Sequence, residues 1–213
     1  MELNLIQTIA VWTLPVLFAI TAHEAAHAYA AKRLGDPTAF LMGRMTFNPI
    51  KHIDPVGTII LPLICVLLPG SFLFGYAKPV PVNFAGLNNP KSDMRWVAAA
   101  GPAANLVMAL IWALLFRFAV ALEGNMFQVP LALMAQAGIQ INVVLMVLNL
   151  MPIPPLDGGR ILVSLLPNHL AAMVARVEPY GFFILIGLLA TGLLGQILAP
   201  FIHLVMQLVT LVL

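Results

Sequence analysis

Residues 5 to 22 (LIQTIAVWTLPVLFAITA) carry no charge and run without interruption into His23-Glu24-Ala25-Ala26-His27. A run of about 18 or more such residues reads as membrane-spanning, and a chain alone in hydrocarbon satisfies its backbone by forming a helix. One helix is therefore fixed before anything else, and so is its oddity. It carries two imidazoles and a carboxylate within five residues. Ionisable groups at that depth are costly and are kept for function.

Residues four apart on a helix share a face, so His23 and His27 can both direct an imidazole at one metal ion. Glu24 lies beside them on the turn. A carboxylate there can take a proton from water whose pKa a zinc ion lowers from about 15.7 toward about 7. Ala25 and Ala26 leave room for other backbone to approach. The same pattern arises by chance on many solvent-facing helices, where it signifies little. Inside an apolar span it points to metal.

The chain is 62% apolar and 8% charged. Soluble domains carry about 25% charged residues, so there is too little charge here to cover a water-facing surface. An integral membrane protein is expected, at home in a lipid bilayer. No glycine-serine linker, low-complexity tract, internal repeat or long polar block marks a second domain. We expect one membrane domain over residues 1–213, with a core over about 4–166 and C-terminal helices over about 168–213. Glu2 stands where a cleavable signal would have basic residues, so the first helix is expected to be retained. Cys65 is the only cysteine, which excludes an intrachain disulfide. The ten basic residues are spread along the chain with a net charge of +2. They bear on topology and make no phosphate-binding patch, so no nucleic-acid partner is expected.

The pattern predicts a first helix over about 4–34, ended by Gly35-Asp36-Pro37. Lys32, Arg33, Arg44 and Lys51 follow closely, which places that end on the cytoplasmic side of a cell membrane. Phe40-Leu41-Met42 and Arg44-Met45-Thr46-Phe47 are predicted to form a small hairpin. Residues 56 to 75 are apolar but broken by Pro62, Pro69 and Gly70 and flanked by Lys51 and Lys78, which predicts a re-entrant segment. Residues 76 to 83 alternate and contain Pro79 and Pro81, as an edge strand or a stiffened loop does. Further spans are expected at about 96–122, 129–150 and 180–198, with a short helix at about 159–165 and an apolar tail broken at Pro200. The fold class is thus all-α and polytopic, a bundle of about four to six membrane segments with a small β element and a re-entrant segment.

A catalytic zinc takes three protein ligands and keeps one position open, so two histidines are one ligand short. His52, Asp54, Asp93, His169, Glu178 and His203 all have simpler roles as loop, helix-start or filler residues. Asp157 stands apart. It sits in Pro152-Ile153-Pro154-Pro155-Leu156-Asp157-Gly158-Gly159, which must break the preceding helix, and its other reading is a helix N-cap. Asn149, at the end of an apolar helix, can donate hydrogen bonds to a developing oxyanion.

His-Glu-Ala-Ala-His followed by Asn149-Leu150-Met151-Pro152-Ile153-Pro154-Pro155-Leu156-Asp157-Gly158-Gly159 resembles the site-2 protease family of intramembrane zinc metalloproteases. The likeness runs from about residue 21 to about 160 and takes in G-R-M-T-F-N-P, H-I-D-P-V-G, F-G-Y-A-K-P-V-P and G-P-A-A-N. It implies one zinc held by His23, His27 and Asp157, with Glu24 activating water and Asn149 assisting at the substrate carbonyl. The substrate would be a membrane protein with a transmembrane helix, unwound and held by strand addition along Tyr76, Lys78, Val80 and Val82. Larger relatives carry PDZ or CBS domains, and the chain resembles the forms without them. A metal transporter or an inactive scaffold are the other classes weighed. The first would spread its polar groups along a path, and the second would have lost Glu24 or a ligand.

If residues 56 to 75 leave on the side they enter, the next two spans run out and back. Asp157 then returns to the depth of the histidines. A full crossing would deliver it to the far face.

Overall fold

Asn4 starts the first helix by accepting the Gln7 amide on its side chain, while the Gln7 side chain takes the Asn4 amide in return. That reciprocal cap satisfies two of the donors a helix start leaves open. In the computed structural model, which describes residues 3–60 and 78–211, α1 spans Leu5–Arg33 and ends with Lys32 and Arg33 in its last turn. Basic groups there complement the partial negative charge of a helix C-terminus.

The connection to the next span corrects one expectation. No strand occurs among the described residues, and the hairpin predicted around Phe40 and Met45 is replaced by a short helix, α2 (Thr38–Leu41), with Asp36 accepting the Thr38 amide. Arg44 then turns inward instead of alternating outward. It is 7% exposed and donates to the carbonyls of Lys78, at 2.7 Å, and Pro79, at 3.4 Å. Short helical turns follow at Pro49–Lys51 and Pro55–Ile60.

The expected edge strand is corrected too. Tyr76 lies outside the described residues. Over residues 78–83 the prolines supply no N–H, and the donors of Lys78, Val80 and Asn83 are spent inward. Lys78 N–H goes to the His52 carbonyl, Val80 N–H to the Glu24 carboxylate and Asn83 N–H to Asp36. This segment is a strap tied to the bundle. Asp36, 1% exposed, anchors its far end. Burial alone would raise that carboxyl, but the hydrogen bonds from Thr38 and Asn83 outweigh it and hold it below the ordinary aspartate value.

The predicted re-entrant stretch falls largely outside the described residues, yet its described flanks meet. The amide of Lys78 donates to the carbonyl of His52 at 2.9 Å, and the amide of Asn88 donates to the carbonyl of Leu34 at 2.8 Å. Helix α3 (Pro90–Ala121) therefore starts beside the end of α1 and runs back along it, and α4 (Gln128–Asn149) returns. These boundaries agree with the predicted spans apart from an earlier start to α3, where Pro90 takes a first-turn position that needs no N–H donor.

Within lipid, helices associate by close packing of small residues. Ala19, Ala22, Ala25, Ala28 and Ala31 recur every third residue along α1 and are all buried. Ala98, Gly101, Asn105, Ala109 and Ala113 form the matching stripe on α3. Large side chains such as Leu5, Ile9, Phe18, Leu114 and Phe118 stay exposed, where lipid would meet them.

After α4 come α5 (Asp157–Leu165), α6 (Asn168–Ala175), α7 (Glu178–Ala190) and α8 (Leu193–Thr210). The predicted last span is thus cut at Gly192, whose φ of +72° only glycine adopts readily, and Pro200 lies inside α8 instead of ending a helix. α1, α3, α4 and α8 are each long and apolar enough to cross a membrane, and α6 with α7, bent by 57°, makes a fifth candidate. The protein is a multi-pass membrane protein whose described residues form helices and no strand.

Candidate active site

His23 and His27 stand one turn apart on α1, with ring centroids 4.6 Å apart and planes at 85°. Each ring has an acceptor for Nδ1–H on α3. His27 donates to the carbonyl of Val97 at 2.7 Å and His23 to Oδ1 of Asn105 at 2.6 Å. Both Nε2 atoms are thereby left as lone pairs, and they lie 3.0 Å from each other. Asp157, the first residue of α5, brings Oδ2 to 3.2 Å from one and 3.3 Å from the other.

That oxygen is buried without a hydrogen-bond partner. His23, His27 and Asp157 are 7%, 9% and 8% exposed. Three electron pairs meeting with no proton among them repel unless a cation lies between them. Ligand atoms about 2.0–2.1 Å from a tetrahedral zinc stand about 3.3 Å apart, close to the separations here. The residues fit zinc, and they supply three ligands with the fourth position left for water or substrate. Among the described residues this is the cluster able to hold a metal.

Asp157 reaches the histidines because the chain breaks where the prolines dictate. Leu156 occupies the N-cap position with no side-chain bond, so Asp157 is not used as a cap. A side chain at Gly158 would run into the carbonyl of Leu150, and the turn tolerates only glycine there.

Glu24 is half-buried, and its Oε2 accepts the Val80 amide at 2.8 Å. Asn149 spends one amide hydrogen on the Leu145 carbonyl at 2.9 Å, which leaves the other for the site. Both line a cavity of about 460 Å³ with the two histidines, Asp157, Val80 and Val82. Lys78 is outside that lining.

The rejected ligand candidates do other work. Asp54 accepts the amides of Val56 and Gly57, and Asp93 accepts the amide of Asn89 at the start of α3. Glu178 lies in the first turn of α7, 4.0 Å from Arg160. His52 is not a solvated loop residue but 2% exposed, donating to the Thr46 carbonyl. His169 and His203 are exposed and outside the cluster.

Three contributors escaped the sequence reading, namely Val97 and Asn105 as partners of the histidines and Gly101 between them. A signal existed for Asn105, since an amide inside an apolar span requires a partner.

The model of peptidase family M50 matches residues 118–191 of this chain. A protein of Bacillus subtilis strain 168 named "Putative zinc metalloprotease YwhC" is 39% identical over 191 residues, covering 88% of this chain and 84% of the Bacillus protein. The proteins named Rip2, with the same description, are 32% identical in Mycolicibacterium smegmatis (84% of this chain, 66% of that protein) and 29% identical in Mycobacterium tuberculosis strain H37Rv (89% and 69%). No solved structure matches. With the family model matched and 84% of the Bacillus protein covered at 39% identity, this chain belongs to peptidase family M50, the site-2 protease family.

Proposed function

We propose that this protein is an intramembrane endopeptidase that hydrolyses a peptide bond in or near a transmembrane segment of another membrane protein. The observation that carries the reading is a buried three-residue centre with two of its ligands on a helix long and apolar enough to cross a membrane and with Glu24 and Asn149 on the same cavity. Zinc, when bound there by His23, His27 and Asp157, polarises a carbonyl and acidifies water. Glu24 receives the proton. The Val80 N–H holds one of its carboxylate oxygens, which fixes the side chain and leaves the other oxygen to act. The remaining amide hydrogen of Asn149 is placed to steady the developing oxyanion. Val80 and Val82 offer apolar contact to the substrate beside the scissile bond.

A helical substrate hides its carbonyls in its own hydrogen bonds, so it must unwind before attack. Glycine costs a helix about 1 kcal/mol relative to alanine, about five-fold in the unwound population. Purified protein in lipid vesicles, given a substrate series, is expected to cleave about five-fold faster for each glycine placed near the cut. Leucine-rich replacements should slow it, and a zinc chelator should stop it. Equal rates across the series would remove the unwinding step, and cleavage in chelator would remove the metal.

The site is proposed to lie nearer the cytoplasmic side, because Lys32, Arg33, Arg44, Lys51, Lys78 and Lys91 gather where α1 ends and α3 begins. In a Cys65→Ser background, cysteines at Lys51 and Asn89 should label from the cytoplasm and one at Asn125 from the opposite face. Labelling of position 89 from the far face, in active protein, would overturn this orientation.

A further inference from the structure

Asn105 and Asn142 are both 0% exposed, one on α3 and one on α4, two helices long and apolar enough to cross a membrane. An amide buried this way is retained at a cost, and every donor and acceptor it carries needs a partner. The two side chains form a chain of hydrogen bonds with a fixed direction. Asn142 Nδ2 donates to the Gly138 carbonyl at 2.8 Å, which turns its Oδ1 toward Asn105. Asn105 Nδ2 donates to that Oδ1 at 3.0 Å and to the Ala19 carbonyl at 3.2 Å. Its own Oδ1 is left facing Nδ1 of His23, at 2.6 Å.

Neither amide can turn over. The chain is anchored at both outer contacts on backbone carbonyls, which only accept. A flipped Asn105 would set its oxygen against the Ala19 carbonyl and Asn142 Oδ1, and its NH₂ against the ring of His23. Ala19 is also one helical turn before His23, so Asn105 grips α1 at two levels and sets both the tilt and the tautomer of the ring. His27 has a backbone carbonyl for the same purpose. His23 has no such carbonyl, and its acceptor is a side chain that must itself be oriented.

We propose that Asn105, oriented by Asn142, is a positioning residue that holds His23 with its proton on Nδ1 and its Nε2 lone pair toward the metal. The inference rests on the reading of His23, His27 and Asp157 as the zinc centre. Partners of this kind change metal affinity by about 10- to 100-fold when removed.

The test is zinc affinity of the full-length, detergent-solubilised protein, measured by competition with a chromogenic chelator. Asn105→Leu is expected to bind zinc about 10- to 100-fold more weakly, while Asn105→Asp, whose carboxyl when held neutral by burial keeps an accepting oxygen opposite Nδ1 and sets an O–H toward the acceptors that Nδ2 now serves, recovers part of that loss. Asn142→Leu, which does not touch His23, should show a smaller loss in the same direction. Thermal melts of the zinc-free proteins show whether each variant is folded. If Asn105→Leu does not fold, the Asp and Asn142 variants carry the comparison. Wild-type affinity in Asn105→Leu, affinity in Asn105→Asp as poor as in the Leu variant, or wild-type affinity in Asn142→Leu would each overturn the proposal. His23→Ala tests the centre itself. Unchanged zinc binding there would refute the ligand assignment, independently of Asn105.

Discussion

Glu24→Gln is expected to keep its zinc and lose about 10²- to 10⁴-fold in hydrolysis, the range that a positioned general base contributes. The substitution is nearly silent in geometry. The Gln carbonyl can still accept the Val80 N–H that now holds Oε2 at 2.8 Å, so the side chain has reason to stay where it is. The other position becomes an NH₂, which cannot take a proton. Nothing in the ligand set changes, because Glu24 is not among the three atoms that converge. Asp157→Ala should behave in the opposite way. It removes the only anionic ligand and leaves two Nε2 lone pairs 3.0 Å apart, so zinc and hydrolysis should fall together. Zinc content by elemental analysis and a cleavage assay on the same preparations separate the two cases. An empty Glu24→Gln protein beside a fully loaded Asp157→Ala protein would reverse the roles assigned here.

The histidine pair and the chain break before Asp157 were legible in the sequence because they are local, whereas Asp157 as the third ligand came with the family resemblance. His23 and His27 lie four apart on one helix, and the prolines before Asp157 force a break that no packing detail can alter. The same holds for the spans, whose apolar runs leave little choice of structure in lipid. The strap over residues 78–83 was not legible in this way. Its alternation resembles a strand, but whether an extended segment pairs with another strand or with side chains depends on what lies opposite it. Here Arg44, His52, Glu24 and Asp36 take its backbone groups. The C-terminal break was misplaced for a related reason. Pro200 looks like the stronger breaker, yet a proline within a long apolar helix is tolerated when neighbouring groups take up the freed carbonyl. The left-handed turn at Gly192 is the actual end. Long-range partners were the hardest to foresee, since Asn105 lies 82 positions from the histidine it holds.

The same long-range pattern makes a single methyl group decisive. Val97, Gly101 and Asn105 are spaced four apart on α3, as His23 and His27 are on α1, and the helices run in opposite directions. Val97 accepts from His27, Asn105 accepts from His23, and Gly101 leaves the gap in which the two rings lie. A Cβ at Gly101 would stand 2.5 Å from Cε1 of His23, 2.6 Å from Cε1 of His27, and against His27 Nε2. Carbon atoms at rest lie about 3.5–4.0 Å apart, so something must move by about 1 Å. The rings cannot withdraw without giving up their bonds to Val97 and Asn105. If α3 moves away instead, it takes both acceptors with it. A misplacement of about 1 Å at a reacting centre costs about 10²-fold, and Gly101→Ala is expected to lose that much in hydrolysis and to bind zinc more weakly as well. Helix propensity works in the other direction, since alanine in place of glycine within a helix stabilises it by about 0.5–1 kcal/mol. A loss can therefore be ascribed to the contact. Gly187→Ala is the control, because a Cβ there meets nothing within 4 Å, and it should leave zinc affinity and cleavage unchanged. If Gly101→Ala bound zinc and cleaved substrate like the wild type, the close approach of α3 to the histidines would not be part of how this centre is held.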